Sequence, residues 1–233
     1  MKKNKAVQGL RGIACLLVFF SHSYSHLFVS DSYLRRLFED TGRLGVLIFF
    51  LLSGVLEGRK KVNQENNAIL AGYKNVVRKI KKMYPLYLIT TIFMFACTFS
   101  SYVYPEWLEN KYNLIFRIVL HCTLLQSYIP KLGVAYSFNG PAWFLSACML
   151  CWFLTPVIKK NVLQIKRESY LLVAGLLYIT QIFYLVLIFK LNLSEQRWFM
   201  YVNPFFNLSI YVQGILCGGG YTTDVSTEGM LPA

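Results

Sequence analysis

Two ionisable residues in the first apolar stretch, residues 10–28, have the types and the spacing that chemistry in a membrane would require. Arg11 and His22 are eleven positions apart. Eleven helical steps of ~100° make three turns plus ~20°, so both side chains project from one helix face, ~16 Å apart along the axis. Ionisable groups in hydrocarbon are costly and therefore indicate a functional site. A histidine there can act as a general acid or base, because its pKa lies near working pH.

A structural role explains the same two residues in a different way. His22 is flanked by Ser21 and Ser23, and such a polar patch can simply hydrogen-bond to lipid headgroups or to neighbouring helices. Arg11 taken alone is typical of an anchor whose charged end reaches the membrane surface. Only the placement of both residues on one face favours function, so the sequence leaves both interpretations open at this point.

Two further segments carry candidate residues. Gly45, Phe49 and Ser53 follow one another at four-residue steps, which suits either close helix packing or a polar path along one face. Arg78, Lys79 and Lys82 immediately precede Tyr84-Pro85. As basic residues at the end of an apolar run they are best explained as a cytoplasmic anchor, and the alternative is a clamp for phosphate groups.

The composition indicates the elements that must position these residues. Of 233 residues, 55% are hydrophobic and 15% are charged, whereas a soluble domain carries about 25% charged residues. The apolar residues form long runs, so the sequence predicts an all-α, polytopic bundle of transmembrane helices. About six spans are expected, and they are residues 10–28, 44–56, 84–103, 142–158, 170–189 and 201–216.

Residues 113–128 are apolar but contain Arg117 and His121. If they crossed the membrane, the basic segment after Ile158 would lie outside, against the rule that basic loops are cytoplasmic. We therefore expect a re-entrant or interfacial helix there. Residues 1–218 are predicted to form one membrane domain, and the polar, glycine-led residues 219–233 a disordered tail.

The formal charge of +13 is concentrated at the ends of apolar runs. This pattern indicates contact with a lipid bilayer and places the N terminus and residues 58–82 in the cytoplasm, as expected of a multi-pass protein of the cell (plasma or inner) membrane. It does not indicate nucleic acid binding, since no nucleic-acid motif accompanies it. Cys148 and Cys151 form a pair without a second pair, so no metal site is predicted.

Four sequence blocks in a fixed order resemble the acyltransferase type 3 family, the bacterial integral membrane O-acyltransferases. The blocks are Leu10-Arg11-Gly12-Ile13-Ala14 with His22, Gly45-Val46 with Phe49-Phe50-Leu51-Leu52-Ser53-Gly54, Arg78-Lys79 with Lys82 and Tyr84-Pro85-Leu86-Tyr87, and Ala142-Trp143-Phe144-Leu145-Ser146 with Pro156.

The resemblance implies an enzyme that transfers an acyl group, commonly acetyl, from cytoplasmic acyl-coenzyme A to a hydroxyl of a cell-surface glycan or lipid-linked saccharide. Acyl-CoA is then a donor substrate, and no bound cofactor is expected. His22 matches the catalytic histidine and Arg11 its paired arginine. The basic positions that match acyl-donor binding are Arg78, Lys79 and Lys82. Further motif positions are Ser53, Trp143 and Ser146.

The chain departs from the family pattern in two respects. Cys148 occupies the position where many members have a glutamate, and the chain is shorter than members usually are. The resemblance therefore also predicts a copy truncated at its C terminus. Two alternatives to an active enzyme follow. One is a transporter or membrane-scaffold subunit in which Arg11 and His22 serve a proton or anion path, and the other is an inactive remnant.

Overall fold

The computed structural model describes residues 5–27, 32–60, 67–100, 110–162 and 164–227, and all regular structure in these ranges is helical. The prediction of an all-α fold is confirmed for them. The α-helices are α1 (Lys5–Leu27), α2 (Ser32–Gly58), α3 (Ala68–Ser100), α4 (Lys111–Cys122), α5 (Leu132–Ala135), α6 (Trp143–Val162), α7 (Tyr170–Leu191) and α8 (Pro204–Thr227).

Four segments in the described ranges are long and apolar enough to cross a membrane. They are Lys5–Ser23, Asp40–Gly58, Gly140–Val162 and Arg167–Leu191, and they correspond to four of the predicted spans. The other two predicted spans fall in α3 and α8, and residues 101–103 of the former lie outside the described residues. The membrane character of the chain is clear, and the count of about six crossings stays a prediction.

Two helices are longer than the apolar runs within them. α2 begins at Ser32, so most of the polar residues between the predicted spans 10–28 and 44–56 are helical. Polar turns extend a thirteen-residue apolar run that alone would be only ~20 Å long. α8 continues to Thr227, so residues 219–227 of the expected disordered tail are helical. Residues 228–233 lie outside the described residues.

The chain divides into two compact units, and the single membrane domain over residues 1–218 stays a prediction. The first unit comprises Met1–Lys61, Lys159–Tyr178 and Leu208–Ala233. The second unit comprises Val62–Ile158 and Ile179–Asn207.

In the first unit, α2 and α8 approach backbone to backbone. A Cβ added to Gly54 would overlap the carbonyl oxygen of Tyr211, and one added to Gly214 would overlap that of Leu51. One turn further along, a Cβ on Gly218 would meet the carbonyl of Val55. Small residues permit such approach in membrane helices. This contact explains why a glycine-rich segment with weak helix propensity remains helical at the start of the predicted tail.

The ends of α2 and α6 meet in a cluster of charges in the first unit. The Glu57 carboxylate is buried and accepts a hydrogen bond of 2.6 Å from the Lys60 ammonium. The ammonium of Lys159 donates to the backbone carbonyl of Lys60. The two basic segments that follow α2 and end α6 therefore lie on the same side of any bilayer, as the charge pattern predicts.

In the second unit, an asparagine on α3 supplies a hydrogen bond that the backbone of α6 lacks. Pro156 has no N–H, so the Trp152 carbonyl lacks the donor that an α-helix normally supplies. The Asn75 side-chain amide donates to this carbonyl at 2.7 Å. At Gly72, three residues earlier, a Cβ would overlap the carbonyl of Phe153. One face of α3 is therefore held directly against α6.

α4 is too short to cross a bilayer by itself. Its 12 residues span ~18 Å, against a hydrocarbon core of ~30 Å. After α4 the backbone turns sharply at Leu124, whose φ is 57°, and short helical turns then lead to α6. This length fits the re-entrant or interfacial helix expected for residues 113–128.

Candidate functional site

The predicted catalytic pair lies on one unbroken helix of the first unit. α1 covers both Arg11 and His22, so the helical geometry that puts them on one face applies throughout. The His22 side chain is exposed and that of Arg11 is half-buried. Around the helix axis, Val18 lies ~20° from Arg11 in one direction and His22 lies ~20° from Arg11 in the other. All three side chains therefore form one narrow stripe along α1.

This stripe borders the seam where α1 packs on α2. A Cβ on Gly45 would lie 2.8 Å from the Ala14 carbonyl oxygen and 2.9 Å from Val18 Cγ2. A Cβ on Gly42 would overlap the side chain of Ser21. Gly45 of the second sequence block and Gly42, three residues before it, therefore bring α2 close to the face that carries the arginine and histidine. The first and second blocks are spatial neighbours.

Two serines near this seam have plain structural positions. The Ser21 hydroxyl donates to the Val18 carbonyl of its own helix at 2.8 Å. Ser53 is half-buried on α2, next to Gly54, which touches α8. Close helix packing explains the glycines of the block that contains Ser53. The structure assigns no chemical role to Ser53 itself.

The predicted donor-binding cluster lies within α3, in the second unit, shortly before Pro85. The Lys79 ammonium lies 4.9 Å from the centre of the Trp152 ring, a cation–π distance. The Arg78 guanidinium donates to Asn75 Oδ1 at 2.9 Å, and the Arg78 and Lys82 side chains are both exposed. Lys79 thus helps to pack α3 on α6, while Arg78 and Lys82 present charge at the surface of this unit.

Trp143 and Ser146 hold the turn that follows α4 by hydrogen bonds. The Ser146 hydroxyl donates to the Leu124 carbonyl at 2.6 Å and accepts from the Ser127 amide at 3.2 Å. The Ser127 hydroxyl donates to the Trp143 carbonyl at 2.7 Å. The left-handed backbone of Leu124 costs roughly 1–2 kcal/mol for a residue with a side chain, and these buried bonds hold it. Both motif residues therefore have a positioning role.

The glutamate position of the family pattern is packed in apolar surroundings. Cys148 is 2% exposed in α6, and Cys151, one turn later, is fully buried. Within the described residues, no three His, Cys, Asp or Glu side chains come together as metal ligands would. This part of α6 is core rather than a charged site.

The sequence blocks and the helices that carry them agree with a comparison against protein families. The family described as "Acyltransferase domain" (Acyl_transf_3) matches residues 4–227. The chain belongs to this acyltransferase family.

One curated relative of the chain is "Acyltransferase MdmB" of Streptomyces mycarofaciens, which is 29% identical over 153 residues. The match covers 64% of the chain but only 37% of that relative. No solved structure matches the chain.

The chain has a second arginine and histidine that share a helix face, and both are buried. Arg117 and His121 on α4 are 9% and 2% exposed. The Arg117 guanidinium donates to Asn113 Oδ1 at 3.0 Å, to the Ser137 hydroxyl at 2.7 Å and to the Gly133 carbonyl. The guanidinium thereby joins α4 to the segment that begins with α5.

Among the described residues, the His121 ring makes one hydrogen bond and one ring contact. Its Nε2 lies 3.2 Å from the Val134 carbonyl oxygen, and its centre lies 4.9 Å from that of the Phe138 ring. Nδ1 is buried without a hydrogen-bond partner in the described part of the chain. Burial lowers the pKa of His121 to about 4, the positive charge of Arg117 adds to this, and the hydrogen bond to Val134 opposes it.

Sequence reasoning used Arg117 and His121 only to decide whether residues 113–128 cross the membrane. The signal for a site was present, because a four-residue spacing puts two ionisable side chains on one face, the same argument that singled out Arg11 and His22. Of the predicted residues, the first unit holds Arg11, His22 and Ser53. The second unit holds Arg78, Lys79, Lys82, Trp143 and Ser146.

Proposed function

We propose that the protein is a membrane O-acyltransferase that moves an acyl group, commonly acetyl, from cytoplasmic acyl-CoA to a hydroxyl of a cell-surface glycan or lipid-linked saccharide. The observation that carries the proposal is the placement of Arg11 and His22 on one face of α1 beside the α2 seam, in a chain whose family match covers residues 4–227. The chain spans 37% of the length of its relative, so the reaction of the whole protein is part of this proposal.

In the proposed reaction, His22 takes the proton of the acceptor hydroxyl as the oxygen attacks the thioester carbonyl. The carbon–sulfur bond breaks, and the sulfur of coenzyme A leaves with the electron pair and receives the proton from His22. The products are an acyl ester and free coenzyme A, and the imidazole returns to its neutral form. A positioned histidine of this kind contributes roughly 10²–10⁴-fold to rate.

Arg11 is proposed to hold the anionic part of the donor. The ~16 Å between Arg11 and His22 along α1 suits a donor that enters from the cytoplasm and presents its acyl group deeper in the bilayer. Arg78 and Lys82 are exposed basic side chains on one face of α3 and are proposed to bind coenzyme A phosphates. Lys79 is assigned mainly to packing because its ammonium lies over the Trp152 ring.

The test measures transfer of radiolabelled acetyl groups from acetyl-CoA to the glycan fraction of membranes that contain the full chain. His22→Ala should lower the rate by roughly 10²-fold or more, since it removes the general base. The matched control is Phe20→Leu, because Phe20 is exposed on α1 about 180° from Arg11 around the helix. This control should transfer at the rate of the wild type.

Two results would overturn the proposal. One is His22→Ala with wild-type transfer at matched expression, which would remove His22 from the reaction. The other is a wild-type chain that acetylates no glycan yet carries protons or anions across vesicles without any acyl donor. That second result would instead support a transporter.

A further inference from the structure

Asn75 lies between the core of the second unit and an exposed basic side chain of α3. It is 8% exposed, and its amide has a partner at each end. The Nδ2 group donates to the Trp152 carbonyl of α6 at 2.7 Å, and Oδ1 accepts from the Arg78 guanidinium at 2.9 Å. The first bond completes the hydrogen bonding of α6. The second bond is not needed for that purpose and requires its own explanation.

The chemistry of the two partners fixes the orientation of the amide. A backbone carbonyl only accepts hydrogen bonds, so it selects the Nδ2 end, and a guanidinium only donates, so it selects Oδ1. One orientation of the Asn75 side chain meets both requirements. Because the backbone of α6 holds the nitrogen, the oxygen that faces Arg78 has a fixed position.

Close contact between the helices gives this short side chain its reach. A Cβ on Gly72 would overlap the carbonyl of Phe153, so the backbones of α3 and α6 meet about one turn before Asn75. Arg78 lies three residues after Asn75 and therefore on the same side of α3. The Arg78 side chain is exposed, and without a fixed acceptor an exposed arginine would sample many rotamers.

The acceptor restrains the guanidinium without neutralising it. A carboxylate in this place would form an ion pair with Arg78, whereas an amide oxygen carries no net charge. Neither α3 nor α6 contains an aspartate or a glutamate. The neighbouring cation, the Lys79 ammonium, likewise contacts an uncharged group, the Trp152 ring. Arg78 is therefore oriented and keeps its full charge for an external anion.

We propose that Asn75 is a positioning residue for the acyl donor, which holds the Arg78 guanidinium in the orientation that binds the phosphates of acyl-CoA. This inference rests on the proposed role of Arg78 in donor binding. Asn75 does not touch the donor. It removes rotamer freedom that Arg78 would otherwise lose on binding, so loss of this restraint should weaken donor binding by about twofold to tenfold.

The experiment measures the Kd of coenzyme A for the full chain in detergent by titration calorimetry. All variants carry Pro156→Ala, because the new backbone N–H can then donate to the Trp152 carbonyl and Asn75→Ala leaves no unsatisfied carbonyl in α6. In this background Asn75→Ala should raise the Kd by about twofold to tenfold. In the transfer assay it should raise the KM for acetyl-CoA by the same factor and leave kcat unchanged. A loss of folded protein would instead lower the apparent kcat.

Two double-mutant cycles separate positioning from helix packing. In the presence of Arg78→Ala, Asn75→Ala should have no further effect on the Kd, because Asn75 acts through Arg78. In the presence of Lys82→Ala, the second exposed basic residue, the full effect of Asn75→Ala should persist. If Asn75→Ala does not fold, Asn75→Ser takes its place in both cycles, since a serine hydroxyl can bond to a carbonyl of its own helix.

The outcomes distinguish this inference from the proposed function. A wild-type chain that does not bind coenzyme A, or Arg78→Ala with the Kd of its parent, would overturn the role of Arg78 in donor binding. Binding that depends on Arg78 but not on Asn75 would overturn only the positioning role. An equal effect of Asn75→Ala with and without Arg78 would do the same, because it would show that Asn75 acts through helix packing alone.

Discussion

At the scale of single residues, the two histidines with defined surroundings sit in opposite environments. His22 is exposed on α1 beside the α2 seam, whereas His121 is enclosed between α4, α5 and Phe138. Burial favours the neutral ring, so the pKa of His121 is lowered to about 4. His121 is therefore a neutral ring held by the Val134 carbonyl at neutral pH, and the proton-transfer role is proposed for His22 instead.

Acidification from pH 8 to pH 5 should destabilise the wild-type chain more than His121→Phe. In the folded chain His121, on α4 outside the four candidate spans, has a pKa of about 4, while an unfolded histidine titrates near ~6.5. Between these values the unfolded chain takes up a proton that the folded chain does not. The free energy of unfolding is therefore highest above pH ~6.5 and falls progressively as the pH approaches 4. At pH 5 the loss is about 2 kcal/mol.

The measurement is the Tm of detergent-solubilised protein at pH 8, 6.5 and 5. Cys122→Ala is the matched control, because Cys122 is the exposed neighbour of His121 in the sequence. The control should follow the wild type at all three values. Parallel Tm profiles for the wild type and His121→Phe would contradict the prediction.

At the scale of helices, Asn75 of α3 is joined to α6 by its hydrogen bond to the Trp152 carbonyl, which Pro156 leaves without a donor from its own helix. Asn75→Ala should lower the free energy of unfolding by about 1–3 kcal/mol, because the buried Trp152 carbonyl loses its donor. In a Pro156→Ala background the new backbone N–H can donate to the same carbonyl within α6. The asparagine should then matter less, with a coupling energy of about 1 kcal/mol.

A double-mutant cycle of denaturant or thermal unfolding measures this coupling. Thr155→Val is a suitable comparison in place of Pro156→Ala, because the Thr155 hydroxyl bonds to the Cys151 carbonyl of its own helix and not to Asn75. The coupling of Asn75→Ala with Thr155→Val should be close to zero. Strictly additive effects of Asn75→Ala and Pro156→Ala would show that the Trp152 carbonyl obtains its hydrogen bond in another way.

Single residues show which features of these helices the sequence can predict. Helical spacing placed Arg11 and His22 on one helix, and the apolar runs located α1, α6 and α7, because hydrophobic periodicity is a local signal. The role of Asn75 depends on a partner 77 positions away, which no local pattern encodes.

The same limit explains the motif residues of α6. Ser146 matched a sequence motif, but its task became clear only from its bonds to Leu124 and Ser127. The extension of α8 beyond Gly218 likewise depends on close contact with α2.

At the scale of the whole molecule, the contact between Lys60 and Lys159 restricts the membrane topology. Because the ends of α2 and α6 meet in the first unit, the chain between them must cross the bilayer an even number of times. Crossings by α3 and α6 satisfy this condition, and a further crossing by α4 would break it. The 12-residue length of α4 leads to the same conclusion independently.

Single cysteines at exposed positions should report this topology. Lys60→Cys and Lys160→Cys should both gain reactivity toward a membrane-impermeant maleimide in inverted vesicles, above the labelling of the parent chain, and neither should gain it in intact cells. Lys111→Cys, at the exposed start of α4, should show the reverse, because one crossing by α3 separates it from Lys60. Reactivity of positions 60 and 160 from opposite sides would require an odd number of crossings and would contradict the contact between α2 and α6. Reactivity of position 111 from the same side as position 60 would show that α3 does not cross.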